Sequence, residues 1–355
     1  MRQYSWAVTV AAAVWLISWG AAFCVADDAA PTDQKQGPIF VATEENDLFS
    51  SLFTGIHTDR HYTQGMKALW LDGDDELPRP AKAVADFLPA WGINVKADRF
   101  GYDFGQNIYT PSDLLTSALI TNDRPYAGWL YAGLVLQRRG DVGDTGIPVM
   151  ENFEVNLGIT GRPSLAEAAQ ENFHRYAYSN DIPEGWHNQL ATEPGLLLKY
   201  QRLWRLSPDK EMAKYFDVIP HVGGEVGNIE IFGNLGETVR AGYNLPDDFG
   251  VQIIDSPASA SGGMTAQTAP FSCYVFGGID GRYVAHNLFL DGNTFRGGPS
   301  VDRKPWVADW MMGGAIQVCR HFELSFVRVV RSTEFEGQQG ADKFGSFTGK
   351  FMFRF

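Results

Sequence analysis

Hydrophobic and polar residues alternate along this chain with a period of two. The cleanest run is residues 150–160, where Phe153, Val155, Leu157 and Ile159 interleave with Glu154, Asn156, Gly158 and Thr160. That is the period of a β-strand, whose successive side chains point to opposite faces. The end of the chain repeats it. Phe347, Phe351, Phe353 and Phe355 share one face with Gly349, and Ser346, Thr348, Lys350, Met352 and Arg354 share the other. Twelve such segments can be counted, at about 38–45, 62–72, 99–108, 126–138, 150–160, 195–207, 214–226, 230–243, 270–284, 306–319, 322–333 and 344–355.

Strands of roughly ten residues suit a bilayer crossed at a tilt, and an even count suits a bacterial barrel. The expected fold is all-β: a transmembrane antiparallel up-and-down β-barrel of about twelve strands over residues 38–355. The edge strand of a soluble sandwich would end in the same alternation, and the start of the chain separates the two. Residues 1–26 carry Arg2, an apolar run from Trp6 to Phe23 and then Cys24-Val25-Ala26. This reads as a secretory signal peptide, with a membrane anchor as the rival reading. Residues 27–37 read as a flexible leader.

Parity then orders the connections. With both termini periplasmic, the connections after strands 1, 3, 5, 9 and 11 are extracellular, and these hold the densest polar clusters. Two others stand out on the opposite side: 73–98, with the helical stretch "AKAVADFL", and 244–269, both longer than a usual periplasmic turn. The third outer connection contains "GRPSLAEAAQENFHR". Ser164 and Glu167 have the spacing of a capping box. Ala166, Ala168 and Ala169 favour helix. Gln170 and His174 then fall one turn apart on one face. The expectation is a short helix in an extracellular loop, packed inside or across the barrel mouth.

Composition changes the picture little. Aromatics at 13 % and 38 glycines fit a barrel with interfacial girdles. A net charge of −13 excludes the basic footprint that nucleic acid needs. Beyond Cys24, Cys273 and Cys319 either pair or stand as separate apolar strand positions, and no Cys-x-x-Cys metal or redox motif occurs.

Four places carry candidate chemistry. Asn46-Asp47 ends strand 1, where oxygen donors could ligate calcium or simply make a turn. Thr63, in "TDRHYTQG", offers a hydroxyl, or is an ordinary strand residue. Arg124, in "NDRPYAGWLYAGL", could meet a phosphate, beside the interfacial aromatics Trp129 and Tyr131. His174 suits a general base near neutral pH, with Gln170 beside it. No Gly-x-Ser-x-Gly elbow occurs.

Taken in order, these pieces resemble one family. They are Asn46-Asp47, the Tyr-Thr-x-Gly opening strand 2, the Ile-Tyr-x-Pro after strand 3, "DRPYAGWLY", the Gln-x-x-x-His helix, "GWHNQL" with "EPG", and "HNLFLDGNTF". Together they look like the lipid A deacylases of Gram-negative outer membranes, over nearly the whole mature chain. The resemblance implies calcium-dependent hydrolysis of the 3′ acyloxyacyl ester of lipid A. It implies His174 as the base that activates water, Asp47 as a calcium ligand, Asn46 and Thr63 around the ester, and Gln170 orienting His174 or lining the pocket. Arg124 and Tyr109 would bind substrate. The implied partners are lipopolysaccharide and outer-membrane lipid, with oligomeric state open, a monomer included. Two departures stand out. The lysine expected after Ile-Tyr-x-Pro is absent, with Arg124 the candidate replacement. Asn180 occupies an expected acidic position, next to Asp181. The competing readings are a phospholipase-like lipid hydrolase, and a non-enzymatic barrel acting as pore or scaffold.

Overall fold

The computed structural model describes residues 36–52, 60–178, 182–255, 270–319 and 321–353. The signal peptide, the leader up to residue 35, Asn180, Asp181, Arg354 and Phe355 lie outside the described residues. Twelve strands form one closed antiparallel barrel. They are Ile39–Asn46 (β1), His61–Leu71 (β2), Ile93–Thr110 (β3), Ala127–Val142 (β4), Pro148–Thr160 (β5), Pro194–Trp204 (β6), Phe216–Gly227 (β7), Glu230–Tyr243 (β8), Phe271–Asn287 (β9), Trp306–Val318 (β10), Phe322–Arg331 (β11) and Asp342–Met352 (β12). Each pairs with the next, and β1 closes on β12 from Ile39↔Met352 to Asn46↔Gly345.

The period-two pattern becomes two surfaces. Leu157 is 62 % exposed on the outside of β5, while Glu154 and Asn156 between the apolar residues are buried inside. In β12, Ser346, Thr348 and Lys350 are buried inward and Phe347 and Phe351 face out. Tyr102, Phe104, Leu134, Leu235, Trp310 and Met312 extend this apolar belt around the wall. Such a surface belongs against lipid chains. No helix among the described residues is long and apolar enough to cross a membrane. Cys273 is a free thiol, so it is not joined to Cys319.

The lumen is filled. Lys67 Nζ lies 2.9 Å from both Asp103 Oδ2 and Glu154 Oε1. Arg240 pairs with Asp217 and Asp248, and Lys350 Nζ with Glu323 Oε1 at 2.9 Å. Charges taken from water this way must be paired. The 244–269 connection explains its own length. Its described part, through residue 255, runs up inside the barrel. Lys350 Nζ donates to Gly250 O (2.8 Å), Thr348 Oγ1 to Gln252 O (3.1 Å), and the Ile254 N–H to Glu45 Oε1 (2.7 Å). Leu245, Val251 and Ile253 join Tyr62, Tyr109, Trp129 and Tyr274 in one apolar cluster. Gln36, which the sequence alone assigns to the leader, is tied to Asp74: its N–H donates to Asp74 Oδ2 at 3.2 Å and its carbonyl accepts the Asp74 N–H at 2.9 Å.

Among the described residues three α-helices accompany the strands: Arg79–Phe87 (α1), Ala166–Phe173 (α2) and Leu288–Asp291 (α3). α1 lies where "AKAVADFL" places it. α2 differs from expectation in two ways. The capping box does not form. Ser164 belongs to a preceding 3-10 turn and its hydroxyl donates to Gly161 O at 2.6 Å, while Leu165 caps the helix from a left-handed conformation (φ 60°). Glu167 instead accepts from Gln189 Nε2 at 3.3 Å. Nor does the helix sit in the mouth. Tyr109, Ala127, Trp129 and Tyr131 face the lumen, so Ile108, Thr110 and Gly128 face outward, yet all three are buried. α2 and the turn before it cover Ile108 and Gly128: Ile108 packs with Ala166, and a Cβ on Gly128 would stand 2.4 Å from Ala166 Cβ and 2.2 Å from Ser164 Oγ. The helix is seated on the outer wall.

A candidate active site on the outer face of the barrel

One row of paired residues runs across five strands: Gly345, Asn46, Gln64, Ile108 and Gly128. All face outward at the extracellular end. α2 covers one end of the row. The other end lies under the 3-10 turn Asp47–Leu52, whose Phe49 Cβ would be 2.6 Å from a Cβ on Gly345. The polar strip between the two covers is the candidate site.

Asn46 closes β1 with its Oδ1 accepting the Leu48 N–H at 2.9 Å, an Asx turn that leaves Nδ2 as a donor. Asp47 Oδ2 accepts the Arg60 N–H at 2.7 Å, and Ser50 Oγ donates to Asp47 O at 2.8 Å. Thr63 owes its place to a bulge. Tyr62 pairs with Tyr109 and Gln64 with Ile108, so Thr63 is an extra residue. Tyr62 points inward and donates to Glu45 Oε2 at 2.8 Å. Thr63 is turned out, its hydroxyl 2.7 Å from that of outward-facing Thr110. Bulges commonly re-aim a side chain in this way next to active sites.

α2 brings the other two groups to the same face and end. Gln170 is 1 % exposed and its Oε1 accepts from Trp186 Nε1 at 2.8 Å. Trp186 packs with Ile108, Tyr126 and Ala166 between helix and wall. Gln170 Nε2 is buried with no hydrogen-bond partner, a donor that calls for an explanation. His174, 3 % exposed, begins a π-helical turn, His174–Tyr178, that continues α2. Such turns recur at functional sites.

Tyr109 and Arg124 stand on the opposite side of the wall from this strip. The Tyr109 hydroxyl donates to Asp255 Oδ1 at 3.0 Å and its ring stacks on Phe289 of α3 at 4.2 Å. Arg124 lies 5.0 Å over the Tyr109 ring and pairs with Glu334 Oε2 at 3.2 Å. Burial would raise the Glu334 pKa, but Arg124, Arg331 and Arg282 outweigh it and hold the carboxyl below its ordinary value.

Two features escaped sequence reasoning. His61 bridges two carboxylates, Nδ1 to Asp342 at 2.7 Å and Nε2 to Asp123 at 3.0 Å, and so ties the starts of β2 and β12 to the loop before β4. Burial raises the Asp123 pKa, yet hydrogen bonds from His61 and Ser112 hold it well below the carboxylate range. His61 and Asp342 are 281 residues apart, which no local pattern reveals. The second is Glu44, outward on β1 beside Asn46, whose Oε1 accepts from Gln64 Nε2 at 2.7 Å. Its outward parity was visible in the alternation of β1.

Calcium takes about six to eight oxygen ligands. The strip offers donors of that kind in Asp47, Asn46 and Thr63. Among the described residues no cluster of three or more His, Cys, Asp or Glu could hold a metal, so these donors account for part of a shell.

The fold and site together define an outer-membrane β-barrel whose polar centre faces the lipid rather than a channel. The chain belongs to the LpxR outer membrane protein family: the family model "Outer membrane protein LpxR" matches residues 10–353. LpxR from Salmonella typhimurium is similar in structure at 19 % identity, with a TM-score of 0.69 over 89 % of this chain and 100 % of that one. An outer membrane channel from Pseudomonas putida F1 aligns at 9 % identity and a TM-score of 0.42, covering 93 % of this chain and 100 % of its own. The β domain of the Bordetella autotransporter BrkA aligns at 8 % and 0.39, covering 90 % and 100 %. The last two alignments carry no argument about function. No curated protein matches the sequence.

Proposed function

We propose that this barrel is a calcium-dependent ester hydrolase that removes the 3′ acyloxyacyl group of lipid A. One observation carries the reading: a helix bearing Gln170 and His174 is seated on the outer wall, on the same face and at the same end of the barrel as Asn46, Asp47 and Thr63, where a membrane lipid is the natural visitor. The acyl chains of such a lipid would lie along the apolar belt while its ester reaches the rim.

His174, as neutral imidazole, takes a proton from water as the oxygen attacks the ester carbon. The unpartnered Gln170 Nε2 and the free Asn46 Nδ2 are donors for the oxyanion that develops. Thr63, oriented by Thr110, contacts the substrate from the wall. The tetrahedral centre collapses, the ester C–O bond breaks, and the leaving alkoxide takes the proton from His174, giving a carboxylic acid and an alcohol. Asp47, with Asn46, would hold calcium, which when bound supplies Lewis-acid polarisation of the carbonyl.

The filled lumen speaks against the pore reading. The test is mass spectrometry of lipid A from cells expressing wild type or His174→Ala, with calcium or chelator. Loss of a 3′ acyl group only with wild type and calcium is expected. Unchanged lipid A, with the barrel shown folded by heat-modifiable migration, would overturn the proposal.

A further inference from the structure

The row through Asn46 continues beyond Gly345 to Arg328 on β11. Val327 and Val329 belong to the lumen cluster, so Arg328 between them faces out. Lys343, two residues before Gly345 on β12, also faces out, because Phe344 is a lumen residue. With strands about 4.8 Å apart and a rise of about 3.4 Å per residue, the two cations stand roughly 8 Å from each other, and Arg328 roughly 10 Å from Asn46. Neither has an ion-pair or hydrogen-bond partner among the described residues, and the Nε of Arg328 is buried and unsatisfied. Glu44, the outward acid on β1, is engaged by Gln64. Membrane-side of the pair lies an aromatic shelf: Phe347 meets Phe49 edge-on at 5.1 Å and Phe326 at 4.7 Å. Unpaired cations on a lipid-facing wall mark a functional site by default, and an aromatic shelf beneath them suits acyl chains hanging from an anionic headgroup.

We propose that Arg328 and Lys343 form an anion subsite that takes a phosphate monoester of the lipid whose ester is cleaved at Asn46 and His174. It rests on the deacylase reading for the identity of that lipid. It lies on the flank of Asn46 away from α2, so the substrate would span the strip with its ester central and its phosphate toward β11. Arg124 is committed to Glu334 inside the wall and leaves this role to the outer pair.

The experiment uses the full-length barrel carrying His174→Ala, so that bound lipid is not turned over, and counts retained lipid by native mass spectrometry. Three probes are compared: bisphosphorylated lipid A, phosphatase-treated lipid A and phosphatidylglycerol. Adding Arg328→Gln with Lys343→Gln should weaken retention of bisphosphorylated lipid A by about tenfold or more, as expected for lost charge-assisted hydrogen bonds. Dephosphorylated lipid A should be retained equally with and without the two substitutions, and Arg328→Lys with native Lys343 should keep most of the phosphate preference. Equal retention of phosphorylated lipid A, an equal loss of the dephosphorylated form, or phosphatidylglycerol held as tightly as lipid A would each overturn the subsite. If wild type hydrolyses no lipid A while the phosphate-dependent loss persists, the deacylase reading falls and the subsite stands.

Discussion

Replacing Gly128 by alanine tests whether the seat of α2 on the wall sets the chemistry. The added Cβ would meet Ser164 Oγ at 2.2 Å and Ala166 Cβ at 2.4 Å. The serine hydroxyl can swing aside, but the alanine methyl is fixed to the first turn of the helix. Carbon atoms rest at about 3.5–4.0 Å, so the helix start must lift by about 1–1.5 Å. Overpacking of this kind costs about 1–3 kcal/mol, which a barrel closed by twelve paired strands should survive. The displacement carries Gln170 and His174 with it. A misplacement of about 1 Å can cost on the order of 100-fold in rate. The expected result is a fall in kcat of roughly 10- to 100-fold in lipid A deacylation, with heat-modifiable migration unchanged. Gly233→Ala is the control, since its Cβ would meet nothing within 4 Å. Full activity in a folded Gly128→Ala protein would refute the claim that this contact positions the catalytic groups.

Two more outcomes rest on named contacts. Thr63→Val removes the 2.7 Å hydroxyl pair with Thr110 and should cost about 1 kcal/mol of stability, with a larger fall in kcat than Ala at Thr43, whose hydroxyl bonds Thr348 inside the lumen; side-by-side initial rates and denaturant midpoints decide it. Asp123 has a pKa depressed in the folded state, so its contribution is complete above its unfolded value of about 4 and is lost as pH falls through the folded value. Limited proteolysis of the rim should therefore rise in acid for wild type, and Asp123→Asn should be more easily cut at neutral pH with a flatter response to acid.

Strands and their pairing were legible because alternation states which residues face the core, and a closed barrel leaves each strand one neighbour on either side. Phe153 to Ile159 and Phe347 to Phe351 are examples. The rim location of Asn46, Asp47, Gln170 and His174 followed from parity alone. What parity could not say is which side of the wall a connection takes once it leaves a strand. The helix was expected in the mouth and lies outside, because the small side of Gly128 and the outward Ile108 make a seat there. The 244–269 connection was expected at the periplasmic rim, and its described part runs inside, because Glu45, Thr348 and Lys350 offer its backbone partners that the lumen would otherwise leave unpaired. Thr63 looked like an ordinary strand residue, and the bulge that turns it outward depends on register with β3. Ser164 and Glu167 matched a capping pattern whose geometry the preceding tight turn pre-empted.

The inner segment 244–255 has a consequence for assembly. β1 and β12 come from opposite ends of the chain, and both hold it: Glu45 from one, Thr348 and Lys350 from the other. The segment therefore bridges the two strands of the seam from inside and braces their pairing. Asn46 lies on that seam, paired with Gly345. The polar strip is therefore finished only when β1 and β12 pair, and a barrel with its seam open would carry no completed site.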